Sequence, residues 1–234
     1  MGAIRLDKVP LNGRSLEEYS AIFGLDFAKG GFGPILDVAS GPSTFADQAH
    51  KLGLDITAAD PSYALPKDLF FQTSLSQIAG IREKIEPVAG SYKWDYYKSP
   101  DHLRKLREKT LSDFIEGFSR QTARGTYVAG RLPSLPFKDS SFQLVLCSHF
   151  LFLFSHILDF DFHFKSILEL TRVSSGQVRI YPVTGLDGVS YQFLDQLILQ
   201  LENMGIESAL YTTGFEFLKG ANKALELRPM RKVF

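Results

Sequence analysis

The chain has 234 residues, 44% of them hydrophobic, which suits one large α/β domain with a sizeable core. Its 26 Lys and Arg balance 26 Asp and Glu, which argues against a broad basic face for duplex nucleic acid. The single cysteine, Cys147, excludes an intrachain disulfide and points to a reducing compartment.

In chain order, residues 1–10 lack the apolar stretch of a secretory leader. Residues 15–23 predict a helix, with Ser15 and Glu18 as a capping box, Leu16, Tyr19, Ile22 and Phe23 on one face, and Gly24 as the stop. Residues 34–39 predict a buried parallel strand, 44–52 a helix, and 56–59 a second strand ending at Asp60. The 66 residues between Asp60 and Tyr127 exceed what one crossover helix needs, so 61–125 is read as a helical cap, with a helix capped by Ser99 and opened by Pro100. Tyr92, Trp94, Tyr96 and Tyr97 in this insert read either as a substrate cage or partner surface, or as anchors of the cap.

Strands are then predicted at 127–129, 142–147 and 177–183, with helices at 167–173 and 189–203. Two closing strands, 206–212 and 224–228, have no room for a helix between them and should pair antiparallel. The most apolar run, 150–154, is far shorter than the roughly 20 residues of a bilayer span. The expectation is one soluble, cytoplasmic domain over 1–234, with an N-terminal helical segment at 1–33. Its fold should be α/β and Rossmann-like: a doubly wound seven-stranded sheet, mostly parallel, closed by an antiparallel hairpin.

In such sheets ligands bind beyond the carboxyl ends of the strands, beside the point where strand order reverses. The first strand-to-helix turn, Asp37-Val38-Ala39-Ser40-Gly41-Pro42-Ser43, has small residues that allow close backbone approach. The following helix N-terminus favours carboxylate or phosphate. Asp60 stands 23 positions after Asp37, where a carboxylate can accept both hydroxyls of a ribose. The bland alternatives are a strand-end cap for Asp37 and a turn residue before Pro61 for Asp60.

These residues resemble the first motif of class I S-adenosylmethionine-dependent methyltransferases, an acidic residue followed by a glycine-rich turn. The resemblance continues in register through 130–137, through 138–145, and through Glu169 to Val173 with Gly176. It implies S-adenosylmethionine as cofactor, with Asp37, Ala39, Ser40, Gly41, Pro42 and Ser43 at its methionine end and Asp60 on the ribose. Pro61, Ser62 and Leu132 would flank the adenine, Ser148 and His149 would stand where the methyl group is presented, and the N-terminal helix, with Arg14 and Tyr19, would also fold over the cofactor. The family usually has Gly where Ala39 and Ser43 stand, and many members have Asp where Arg131 stands. Gln143 likewise replaces a frequent Asp.

His149 is the candidate catalytic base, because an unperturbed imidazole titrates near neutral pH; a purely structural histidine is the alternative. Cys147 ends an apolar strand and reads as an inert thiol. No metal site is expected. The implied activity is methyl transfer to a small-molecule substrate. The alternative is a catalytically inactive methyltransferase-like binding protein. A nicotinamide-dependent oxidoreductase shares the fold, but its Gly-x-Gly-x-x-Gly spacing is absent.

Overall fold

A computed structural model describes residues 6–229. Residues 1–5 of the expected N-terminal segment, and 230–234 of the expected domain, lie outside the described residues. The strands are β1 (Ile35–Val38), β2 (Ile56–Ala59), β3 (Tyr127–Val128), β4 (Phe142–Ser148), β5 (Ser174–Tyr181), β6 (Ile206–Thr212) and β7 (Lys223–Pro229). They form one sheet in the order β3-β2-β1-β4-β5-β7-β6. The first five are mutually parallel, and β7 lies antiparallel to both β5 and β6. This is the doubly wound, mostly parallel sheet with a C-terminal hairpin that the sequence predicts.

Strand alternation sorts β1 between two cores. Ile35 packs with α1 (Leu16–Phe23), α2 (Phe45–Lys51) and the insert, whereas Leu36 and Val38 pack with α6 (Phe160–Val173) and α7 (Leu194–Asn203). Asp37 therefore points toward α1, where Tyr19 meets it. The predicted caps form: Ser15 and Glu18 make both bonds of the capping box, and Ser99 accepts from the His102 amide.

Three elements differ from expectation by more than one residue. The helix expected at 167–173 begins at Phe160, because Asp159 caps it by accepting from the Phe162 amide; the apolar run before it conceals that start. The strand expected at 177–183 spans Ser174–Tyr181, since Ser174 pairs with Phe142 across a register shift. The helix expected from 189 begins at Leu194, because Ser190 pairs with Thr184 in a bridge before it.

The insert holds α3 (Lys67–Ala79), α4 (Ile81–Ile85) and α5 (Pro100–Ala123), with α5 packed on α2 and β3. Its aromatics are anchors. Tyr92 and Tyr97 are buried, with ring centroids 4.6 and 4.7 Å from Phe217 in the loop between β6 and β7. The Lys93 amide donates to the Phe217 carbonyl at 2.7 Å, and the Lys93 ammonium pairs with Glu216 at 2.7 Å. No helix among the described residues is long and apolar enough to cross a membrane.

Candidate functional site

The cavity at the carboxyl ends of the parallel strands has a volume of 560 Å³. Val38 and Ala39 after β1, Asp60 to Ser62 after β2, Gly130 to Leu132 after β3, and Ser148 to Phe150 after β4 all line it. That arrangement follows from the sheet: consecutive parallel strands on either side of β1 end on one edge, and the loops that leave them diverge.

The turn after β1 is built tightly. Ala39 adopts φ +57° and Gly41 φ +58°. The Gly41 amide donates to Asp60 Oδ2 at 3.0 Å, and the Tyr63 hydroxyl donates to the Gly41 carbonyl at 2.7 Å. Asp60 Oδ1 accepts from the Ser62 amide at 2.8 Å and from the Ser62 hydroxyl. Asp60 thus locks the ends of β1 and β2 together while still facing the cavity, and burial pushes its carboxyl above the usual range. A carboxylate offers about four lone-pair sites, so acceptor capacity is left over for a ligand hydroxyl.

Asp37 stands behind the lining. It is fully buried, the Tyr19 hydroxyl faces both its oxygens, and burial pushes its carboxyl up to about 7. Ser40, Pro42 and Ser43 also lie outside the lining, whereas Ala39, Gly41, Asp60, Pro61, Ser62, Leu132, Ser148 and His149 belong to it. The Ser43 side chain is engaged elsewhere. Its hydroxyl donates to the Arg14 carbonyl at 2.6 Å and accepts from the Phe45 amide at 3.2 Å. Gln143, the other departure from the family pattern, accepts from the Gly33 amide at 2.7 Å.

Of the insert only the first residues, Pro61, Ser62 and Leu65, reach the lining, and most of the cover of the cavity comes from the N-terminal segment. Leu6, Val9, Pro10, Leu11, Asn12 and Arg14 line it, against Leu65 from the stretch leading into α3. This strap is held at both ends: the Leu11 amide donates to Gln77 Oε1 at 2.6 Å, and His156 Nε2 meets the Leu6 carbonyl at 2.7 Å. It packs backbone to backbone on the glycine turn, since a Cβ at Gly13 would lie 1.8 Å from the Pro42 carbonyl oxygen.

Two buried polar atoms of the strap lack partners among the described residues: the Arg14 Nε donor and the Asn12 Oδ1 acceptor. One candidate counter-ion for Arg14 is already committed. Glu18 is fully buried and takes Arg107 at 2.7 Å, the Tyr97 hydroxyl at 2.5 Å and the Ser15 amide at 2.9 Å. Buried donors and acceptors are nearly always satisfied, so an orphan pair on one cavity wall calls for a ligand with both kinds of partner.

At the end of β4, His149 adopts φ +53°. Its amide donates to the Tyr181 carbonyl at 2.6 Å, and its Nδ1 meets Ser148 Oγ at 2.8 Å. Burial, reinforced by the charges of Arg14 and Arg107, holds its imidazole well below the ordinary histidine range, so the ring is neutral at physiological pH. Beside it Cys147 is fully buried, and burial pushes its thiol up to about 12, leaving it protonated and unreactive. Among the described residues no three His, Cys, Asp or Glu side chains converge as a metal site.

A curated relative from Methanocaldococcus jannaschii, the uncharacterized protein MJ0045, is 32% identical over 231 residues, covering 97% of this chain and 100% of its own length. The chain belongs to the MJ0045 family. No family model matches it. The PH0226 protein of Pyrococcus horikoshii is a solved structure similar to this one at 14% identity, covering 92% of this chain and 90% of that one, with a TM-score of 0.48. The magnesium protoporphyrin IX methyltransferase of Synechocystis, solved with S-adenosylmethionine bound, is similar at 12% identity, covering 92% and 78%, with a TM-score of 0.46. For this member of the MJ0045 family, Arg14, expected from the sequence to fold over the cofactor, lines the cavity, whereas Tyr19 stands behind it on Asp37; Asn12 is the site residue that the sequence does not single out, since it lies in a stretch without periodicity just before the first helix.

Proposed function

We propose that the protein transfers a methyl group from S-adenosylmethionine to a small-molecule acceptor. The observation that carries this reading is the orphan pair on the strap, a donor at Arg14 and an acceptor at Asn12, beside the glycine turn. A free amino acid end, one carboxylate and one ammonium, is the ligand chemistry that satisfies both. Arg14 would hold the carboxylate and Asn12 the ammonium. Asp60 would accept a ribose hydroxyl, and Pro61, Ser62 and Leu132 would flank the adenine. The Ala39 to Gly41 backbone supports the reading by admitting a ligand closely where a bulkier turn would not.

The cofactor supplies a methyl group already activated on a sulfonium. What the chain itself must provide is alignment and exclusion of water. The largely apolar lining and the strap serve exclusion. His149, neutral at physiological pH and tied to Ser148, is the group that would take a proton from an acceptor that must lose one. The departures at Ala39 and Ser43 give no support to an inactive binder, since Ala39 keeps the turn's left-handed conformation and Ser43 ties down the strap.

Calorimetric titration with S-adenosylmethionine and S-adenosylhomocysteine tests the proposal, on the wild type and on Asp60→Asn, which keeps the side chain's shape. Micromolar binding by the wild type, weakened in the variant, is the expected result, with a somewhat lower melting temperature because Asn can accept from only one of the Gly41 and Ser62 amides. Absence of any heat with either ligand would overturn the assignment.

A further inference from the structure

The cavity has two chemically different sides. In the strand order β3-β2-β1-β4-β5, the ends of β2 and β3 lie on one side of β1, and the ends of β4 and β5 on the other. The β2 and β3 side contributes Asp60, Ser62 and Arg131 to the lining. Beyond His149, the β4 and β5 side contributes Phe150, Leu153, Phe154, Leu158, Phe162 and Leu186 and no ionisable group. Arg14, the remaining charge of the lining, stands near enough to His149 to act on its imidazole, and in the methyltransferase reading its guanidinium is committed to the cofactor carboxylate.

We infer that the methyl acceptor is an uncharged, largely apolar small molecule, lodged against the phenylalanines and leucines that follow β4 and β5, with its one polar group at His149. The inference rests on the methyltransferase reading and adds the substrate class to it. A charged group on this side would be stripped of water without a partner, a loss that nothing in the wall offsets. The walls are also firm. Leu153 and Phe154 are buried, and Phe150 meets Phe162 edge to face at 6.3 Å, so the wall keeps its apolar surface toward the cavity. At the inner end, His149 Nδ1 is occupied by Ser148, and Nε2 makes no hydrogen bond among the described residues. That nitrogen is the polar contact open to an acceptor there.

The test uses a matched pair of fluorescent probes, N-phenylnaphthylamine and its sulfonated counterpart anilinonaphthalene sulfonate, which share their rings and differ in one negative charge. Each is titrated into the wild type saturated with S-adenosylhomocysteine, and into Leu186→Asp and Leu158→Gln. The uncharged probe should bind without displacing S-adenosylhomocysteine and at least about tenfold more tightly than the sulfonate, a gap of about 1.4 kcal/mol. Leu186→Asp should weaken it by about tenfold or more and Leu158→Gln by less, both with unchanged circular dichroism.

Equal affinity for the two probes, or affinity unchanged in both variants, would overturn the inference. So would displacement of the uncharged probe by S-adenosylhomocysteine. If the apolar probe binds as expected while S-adenosylhomocysteine gives no calorimetric heat, it is the methyltransferase reading that falls, and the acceptor assignment with it.

Discussion

The Tyr19 hydroxyl stands astride Asp37, 2.8 Å from one carboxylate oxygen and 2.9 Å from the other. One proton serves two oxygens, so a fully buried acid has little to offset its loss of water, and its carboxyl is pushed up to about 7. In the unfolded chain the same group titrates near 4. Between those values the unfolded state releases a proton that the native state keeps, so Asp37 lowers stability progressively as pH rises from about 4 to about 7, after which the loss is constant. Asp37→Asn removes that titration and keeps an oxygen for Tyr19. The variant should gain on the wild type by up to about 4 kcal/mol between pH 4 and 7, three pKa units at 1.36 kcal/mol each. Urea melts at pH 5 and pH 8 read the difference, and identical pH dependence of the two proteins would refute this account of the site.

Arg14 sets ligand affinity against stability. Its Nε is buried without a partner among the described residues, and burial holds the guanidinium below its ordinary pKa. Arg14→Met should therefore raise the melting temperature of the ligand-free protein, as replacement of poorly compensated buried charges by apolar side chains often does. The same change should weaken S-adenosylhomocysteine by about 1.5–3 kcal/mol, the worth of a charge-assisted hydrogen bond. Scanning calorimetry and titration on one sample measure both. A variant that is less stable and binds unchanged would contradict the proposed role.

Ala39 holds a left-handed conformation, φ +57°, where an L side chain costs about 1–2 kcal/mol. Glycine relieves that strain but adds freedom to the unfolded chain, worth about 0.4–1 kcal/mol. Ala39→Gly should stabilise the protein by a net of about 0.5–1 kcal/mol in chemical denaturation. If Ala39→Gly proves destabilising instead, the alanine methyl group packs usefully against the cavity wall and the strain argument fails.

His149 should give a flat titration. With burial the largest cause, its imidazole stays neutral well below the usual midpoint, so its ring resonances should not move between about pH 6 and pH 8 in a carbon-detected histidine spectrum. The linked stability has the opposite sense to that of Asp37. The native state resists protonation, so stability is intact above the unfolded midpoint of about 6.5 and falls as pH drops below it. His149→Gln should flatten that acid limb.

Much of the scaffold is legible in local chemistry. Ser15 with Glu18, and Ser99 with Pro100, announce helix starts because the side chain and the amide it caps lie within three residues. Asp60 is legible because strand spacing fixes which residue ends β2. The hidden parts depend on contacts distant in sequence. For Tyr92 and Tyr97 the sequence leaves a substrate cage and an anchor equally open, because what decides for the anchor, Phe215 and Phe217, lies more than a hundred residues later. Asn12 gives no periodic signal, and what leaves Arg14 open to a ligand, Glu18 being already taken by Arg107 of α5, has no local trace. The start of α6 is masked because Phe150 to Phe164 is apolar at almost every spacing, so no single period stands out.

Gly13 is absent from the cavity lining and yet governs the roof. Its missing side chain is what lets the strap lie on the Pro42 carbonyl, and the neighbouring Gly41 amide is bonded to Asp60. A methyl group at position 13 would act as a shim, prising the strap from the turn and loading the Asp60 contact from a distance. Residue size at 13 is in effect a mechanical dial on the aperture of the cavity, set at its narrowest by the smallest amino acid.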